Sequence, residues 1–126
     1  MQGIESLTTA LVSTALDAAS LRQQVIASNI ANAGRTDYAA QRVSFGATFA
    51  TLSQGGQAGT RAVQGSPFDL RMQIEPDLLS DGSARPIQLD EEVGALAQNS
   101  MHYQALVRSL SKYFSLMASA VSEGKR

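Results

Sequence analysis

Few groups in this chain of 126 residues could do chemistry: it has one histidine and no cysteine. His102 stands beside Tyr103 with no carboxylate or thiol at ligand spacing, which makes it a poor metal ligand. As a general base it would need a nucleophile and an orienting group. Ser100 and Ser109 are not placed to complete such a set. A packed or interfacial histidine is the better reading. Asp90, Glu91 and Glu92 offer neighbouring carboxylates for acid–base work or for Ca²⁺, but the calcium-loop pattern is missing. Acids at a helix start need no such role, because the helix dipole favours them there. The stretch from Gly55 to Gly65 has neither the GxGxxG nor the GxxxxGK[ST] spacing, so no phosphate cradle is expected. Arg22, Arg35, Arg42, Arg61, Arg71 and Arg85 are scattered singly among acids and read as solvated, without the basic stripe and aromatics of a nucleic-acid surface. The sequence therefore predicts no enzyme, no cofactor, no metal, no small-molecule substrate and no nucleic-acid partner.

Net charge −1 and 44% hydrophobic residues describe an ordinary chain with no field to steer a polyanion or an acidic membrane. Met1-Gln2-Gly3-Ile4-Glu5 carries an acid where a cleavable signal has its basic region, and no unbroken apolar run follows. No stretch is apolar enough to span a bilayer. A membrane-surface helix would want Lys and Arg on its polar face, and none gathers there.

The elements that could position anything are helical. From Ile4 to about Asn32, apolar residues Ile4, Leu7, Leu11, Ala18, Leu21 and Val25 recur by three, four or seven, and no Pro or Gly intervenes. From Val93 to about Ser122 a second pattern places Val93, Leu96, Tyr103, Val107, Leu110, Phe114, Met117 and Val121 at a/d heptad positions, with Ser100 as its polar break. Asp90 is the expected cap of this helix, and Gly124, Lys125 and Arg126 suit its end. Between the two, Gln54–Thr60 opens a Gly-rich segment (54–65) with nothing to bury, preceded by the irregularly spaced Val43, Phe45, Phe49 and Leu52. Phe68–Glu75 alternates as a half-buried strand does. Pro76 ends it, and Asp81-Gly82 makes a turn. The predicted fold is mainly α: two long N- and C-terminal helices (1–32 and 91–126) packed as a coiled-coil-like pair, with an intervening loop region (33–90) containing short β-elements.

Both helices are short of charge. Residues 4–32 and 93–122 make 29 plus 30 positions, and only Glu5, Asp17, Arg22, Arg108 and Lys112 among them are charged. At the usual frequency about fifteen would be. Each helix also carries a second apolar stripe: Val12, Leu16, Ala19, Ile26 and Ile30 in the first, and Ala95, Leu106, Tyr113, Leu116 and Ala120 in the second. A hairpin buries one stripe per helix, so the others need partners. Self-assembly follows, with order gained mainly in the assembly. The competing reading is a soluble helical adapter or binding module that docks by a helix-in-groove contact.

The run Ala27-Ser28-Asn29-Ile30-Ala31-Asn32-Ala33, then Tyr38 and Val43-Ser44-Phe45, closely resembles a signature of the flagellar axial proteins, the superfamily of rod, hook and hook-associated proteins. Leu89-Asp90-Glu91-Glu92-Val93, Asn99, Tyr103-Gln104-Ala105-Leu106 and Leu110-Ser111-Lys112-Tyr113-Phe114, with Asp81-Gly82 before them, look like the proximal rod branch of that superfamily. The likeness covers about residues 7–52 and 81–121. It departs at Arg35-Thr36-Asp37-Tyr38, where the family usually has Thr-Pro-Gly or similar, so Gly34 is the residue left to supply a positive φ. The resemblance implies a structural subunit of the proximal rod of the basal body, in the periplasmic space, passing torque from the motor to the hook and filament. Its implied partners are copies of itself and other flagellar rod proteins, with the rod's base near the membrane ring, an adaptor and the export gate. Its implied route is the flagellar type III apparatus, without a cleaved signal. The residues expected at helix packing or subunit contacts are Leu7, Leu11, Leu21, Val25, Ser28, Asn29, Ile30, Asn32 and Tyr38, and in the second helix Leu96, Tyr103, Val107, Leu110, Phe114 and Met117.

Overall fold

The structure, a computed structural model, describes residues 2–45 and 72–125. Helix α1 spans Gln2–Ala31 and helix α2 spans Leu89–Glu123. At 30 and 35 residues they are about 45 and 52 Å long, at ~1.5 Å per residue. Between them lie strands β1 (Gln41–Phe45) and β2 (Met72–Pro76). The helices pack together, and their side-chain bonds give the direction: Asn29 meets Glu92, while Gln23 meets Ser100. Positions falling along α1 match positions rising along α2, so the pair is antiparallel.

The seam inside the chain follows the predicted stripes only in part. On α1 the line Val12, Leu16, Ala19, Ile26 and Ile30 is half-buried or buried; of the other stripe Ala18, Leu21 and Val25 are half-buried or buried, while Ile4, Leu7 and Leu11 stay exposed. On α2 the buried residues are Glu92 and Asn99, seven apart, and the line continues through half-buried Leu106 and Tyr113. Leu96, Leu110 and Met117 are half-buried beside it. Val93, Tyr103, Val107, Phe114 and Val121 remain exposed at 41–58%. The physical reason is polar: two of the strongest anchors of the contact are an asparagine and a glutamate with partners on the facing side, which a hydrophobic period discounts. The chain thus buries much of what looked like its second stripe and leaves much of the first open.

The ends also differ from expectation. Gln88, not Asp90, is the N-cap of α2 and makes no side-chain cap bond; Asp90 lies inside the first turn. Gly124 closes α2 in a right-handed conformation, so no positive φ stops the helix. Gly34 does not adopt a positive φ either; among the described residues only Gly82 does, at 83°, in the expected Asp81-Gly82 turn.

Strands β1 and β2 pair antiparallel from Gln41↔Pro76 to Phe45↔Met72. The predicted strand exists over 72–76, with residues 68–71 and the Gly-rich segment 54–65 outside the described residues. Its predicted inward face is open: Ile74 is 50% exposed, opposite Val43. Met72, two residues earlier on the same face, is half-buried. Fully buried apolar residues are few among those described, namely Ala19, Val25, Ile26 and Ala40.

Candidate functional site

The best-built feature is a polar corner where α1 ends and α2 begins. Asn29 is 1% exposed. Its Nδ2 donates to the Gln41 carbonyl at 3.0 Å and to Glu92 Oε2 at 3.3 Å. Its Oδ1 accepts from the Gln41 N–H at 3.0 Å and from the Tyr38 hydroxyl at 3.1 Å. An asparagine is needed here because only an amide offers donor and acceptor together at that reach. Asn32 caps the last turn of α1, its Nδ2 donating to the Ser28 carbonyl at 2.8 Å.

Glu92 is 4% exposed, and Arg85 compensates its charge by donating from Nη2 to Oε1 at 2.6 Å. Arg85 also pairs with Asp77. Glu92 first and Asp77 second hold the guanidinium pKa above its usual value. Backbone bonds close the corner, since Asp77 N–H donates to the Ala40 carbonyl at 2.8 Å and Arg85 N–H to the Asp77 carbonyl at 2.9 Å. Arg85 is therefore no solvated loop residue, and Glu92 is more than a helix-start acid. A pair seven residues apart across an irregular segment leaves no spacing signal to read. One weak sign was available, an acid run heading a helix otherwise nearly free of charge.

The turn before Tyr38 carries a local ion pair. Arg35 grips Asp37 with two bonds, Nε to Oδ1 at 3.1 Å and Nη2 to Oδ2 at 2.8 Å. That contact lowers the Asp37 carboxyl pKa, with Arg35 as the main cause.

Of the expected contact residues, the corner gathers Val25, Asn29, Ile30, Asn32 and Tyr38, all buried or half-buried, while Ser28 faces outward. Leu21 is half-buried. Leu7, Leu11, Tyr103, Val107 and Phe114 are not brought to any site within the chain. They line open flanks of the helix pair, joined by Met101 at 72%, Leu116 at 62% and Ile4 at 69% exposed.

Two grooves border the interhelical line. One, of about 270 Å³, is lined by Ala19, Ser20, Gln23, Asn99, Ser100, Tyr103 and Gln104. The other, of about 370 Å³, is lined by Arg22, Ile26, Ala95, Gln98, Asn99 and His102. They share Asn99, whose Nδ2 donates to the Ala19 carbonyl at 2.8 Å and to Gln23 Oε1 at 2.7 Å. His102 is thus exposed on a groove wall rather than set in a catalytic array. No group of His, Cys, Asp or Glu able to hold a metal occurs among the described residues.

The sequence compares with proteins of one kind. A family described as flagella basal body rod protein matches over residues 12–37, which take in most of α1 and the turn through Asp37. The flagellar basal body rod protein FlgB of Bacillus subtilis (strain 168) is 32% identical over 116 residues, covering 88% of this chain and 90% of that protein. The flagellar basal body rod protein FlgB of Proteus mirabilis (strain HI4320) is 27% identical over 125 residues, covering 87% and 90%.

Proposed function

Because the chain belongs to the FlgB family of flagellar basal body rod proteins, a structural and not an enzymatic family, we propose that it is a subunit of the proximal rod in the periplasmic space, reached through the flagellar type III apparatus. Copies of the chain and other rod proteins pack against the open flanks of the helix pair, near the membrane ring, an adaptor and the export gate. The observation that carries the reading is the apolar exposure of Leu7, Leu11, Val107 and Phe114, on helices with almost no charge to keep those flanks wet. Torque then passes through many short-range apolar contacts between stacked helices, which resist shear because close-packed side chains deform little.

The test separates folding from assembly. Val107 is 43% exposed, so Val107→Asp leaves the helix content of the isolated chain unchanged, while the variant is absent from purified basal bodies and its cells fail to spread in soft agar. Leu110→Asp, half-buried at the helix contact, fails in both respects. Normal spreading by the Val107→Asp strain would contradict the flank as a contact surface.

A further inference from the structure

We propose that the turn at residues 78–83 of one copy docks into the Arg22–His102 groove of a second copy, an inference that rests on the self-assembling reading above. The turn is closed by its own hydrogen bonds. Leu78 bridges Ala84, Leu79 N–H donates to the Ser83 carbonyl at 2.8 Å, and Gly82 N–H donates to the Leu79 carbonyl at 2.9 Å. Gly82 supplies the positive φ, and Asp81 Oδ1 accepts from Ser83 N–H at 2.9 Å and Ser83 Oγ at 2.6 Å. Its base is fixed to the corner by Asp77 and Arg85. Turn tips are ordinarily polar, yet this one holds Leu78 at 52% and Leu79 at 44% exposed on an ordered support. Asp81 adds a carboxylate with no cationic partner among the described residues.

The groove is the complement of that tip. Ile26 and Ala95 give it an apolar floor, and Arg22 and His102 stand on its rim; past Arg22, Ile26 and Ala95 it runs on to Asp77 and Glu92, whose charges Arg85 already pairs. Arg22 has no ion-pair partner among the described residues. Asn99 lies between this groove and the neighbouring one, and its Oδ1 is the one buried side-chain polar atom without a hydrogen bond among those described. Leucines on Ile26 and Ala95, with Asp81 against Arg22, match apolar to apolar and anion to cation. Tip and groove are different surfaces, so each copy offers both. Such a contact is heterologous and extends in series instead of closing as a dimer.

The chain contains no cysteine, so introduced pairs report cleanly. Ser80→Cys and Gln98→Cys, both at exposed positions, are placed on separate co-expressed chains and oxidised in purified basal bodies. A cross-linked dimer that requires both chains is the expected result. In parallel, Asp81→Arg and Arg22→Asp each lose soft-agar spreading, and the two together in one chain recover it. The docking is overturned if Ser80 and Gln98 link only when both cysteines lie on one chain. It is also overturned if they never link while Leu7→Cys and Phe114→Cys on separate chains do, or if the charge reversal is not rescued. The last three outcomes leave the rod reading standing. Absence of the unsubstituted chain from basal bodies would instead overturn both.

Discussion

Asn29 treats Gln41 as a strand neighbour would, donating to its carbonyl and accepting from its N–H. A side chain thereby does the work of a backbone ladder, and the chain leaving α1 is aimed at β1. The same amide reaches Glu92, whose charge Arg85 balances, so the end of α1, the turn base and the start of α2 share one set of bonds. Removing one member of such a set leaves the others buried without partners, at about 1–3 kcal/mol for each group stranded. Asn29→Asp does worse than Asn29→Ala, because it puts a carboxylate against buried Glu92. Asn29→Ala, which removes the acceptor of the Gln41 N–H, should cost that amide roughly a hundredfold in hydrogen-exchange protection, equivalent to about 3 kcal/mol, and Asn29→Asp, which keeps an acceptor but loses both donations, should lower the melting midpoint further. Undiminished protection at Gln41 in the Ala variant would mean that another group holds the corner. The sequence marks Asn29 through its motif, but not what it bonds to. Its partners come from three separate segments, and no local spacing encodes that meeting.

At the scale of elements, periodicity was enough to find both helices, and Asp81-Gly82 was enough to find the turn. Which way the helices face was not legible. Each carries apolar residues on two sides, and the polar anchors Glu92 and Asn99 decide which side turns inward. Strand β1 was hidden for a related reason: Val43 and Phe45 belong to an irregular apolar set, and pairing with β2 is what makes them a strand. Helix α2 also contains a local weakness that packing within the chain does not explain. Gly94 is exposed within its second turn, and a Cβ added there meets nothing within 4 Å. A glycine inside a helix costs about 0.5–1 kcal/mol relative to alanine. Gly94→Ala should therefore raise the helix content of the isolated chain, seen as a stronger circular dichroism band and a higher melting midpoint. If the midpoint falls instead, the space beside Gly94 is already occupied in solution by something the single chain does not show.

At the scale of the whole molecule, the described residues bury little and leave apolar side chains open. Among the described residues the fully buried apolar side chains are two alanines, a valine and an isoleucine. Open apolar surface lies on both helices: Ile4, Leu7 and Leu11 on α1, and Val107, Phe114 and Val121 on α2. Surfaces of that kind, differing from one another, favour open stacking over a closed dimer. Dilution should therefore separate the molecule into parts. In dilute solution, amide protection survives around the Asn29–Glu92 corner, while the far ends of both helices, near Ile4 and Val121, exchange freely. Raising the concentration lengthens the helices and broadens the sedimentation profile in step, because each added contact orders residues that no contact within the chain can hold. A single discrete dimer with a concentration-independent, cooperative melt would show that the open flanks find their partners by closure, and stacking would have no driving force left.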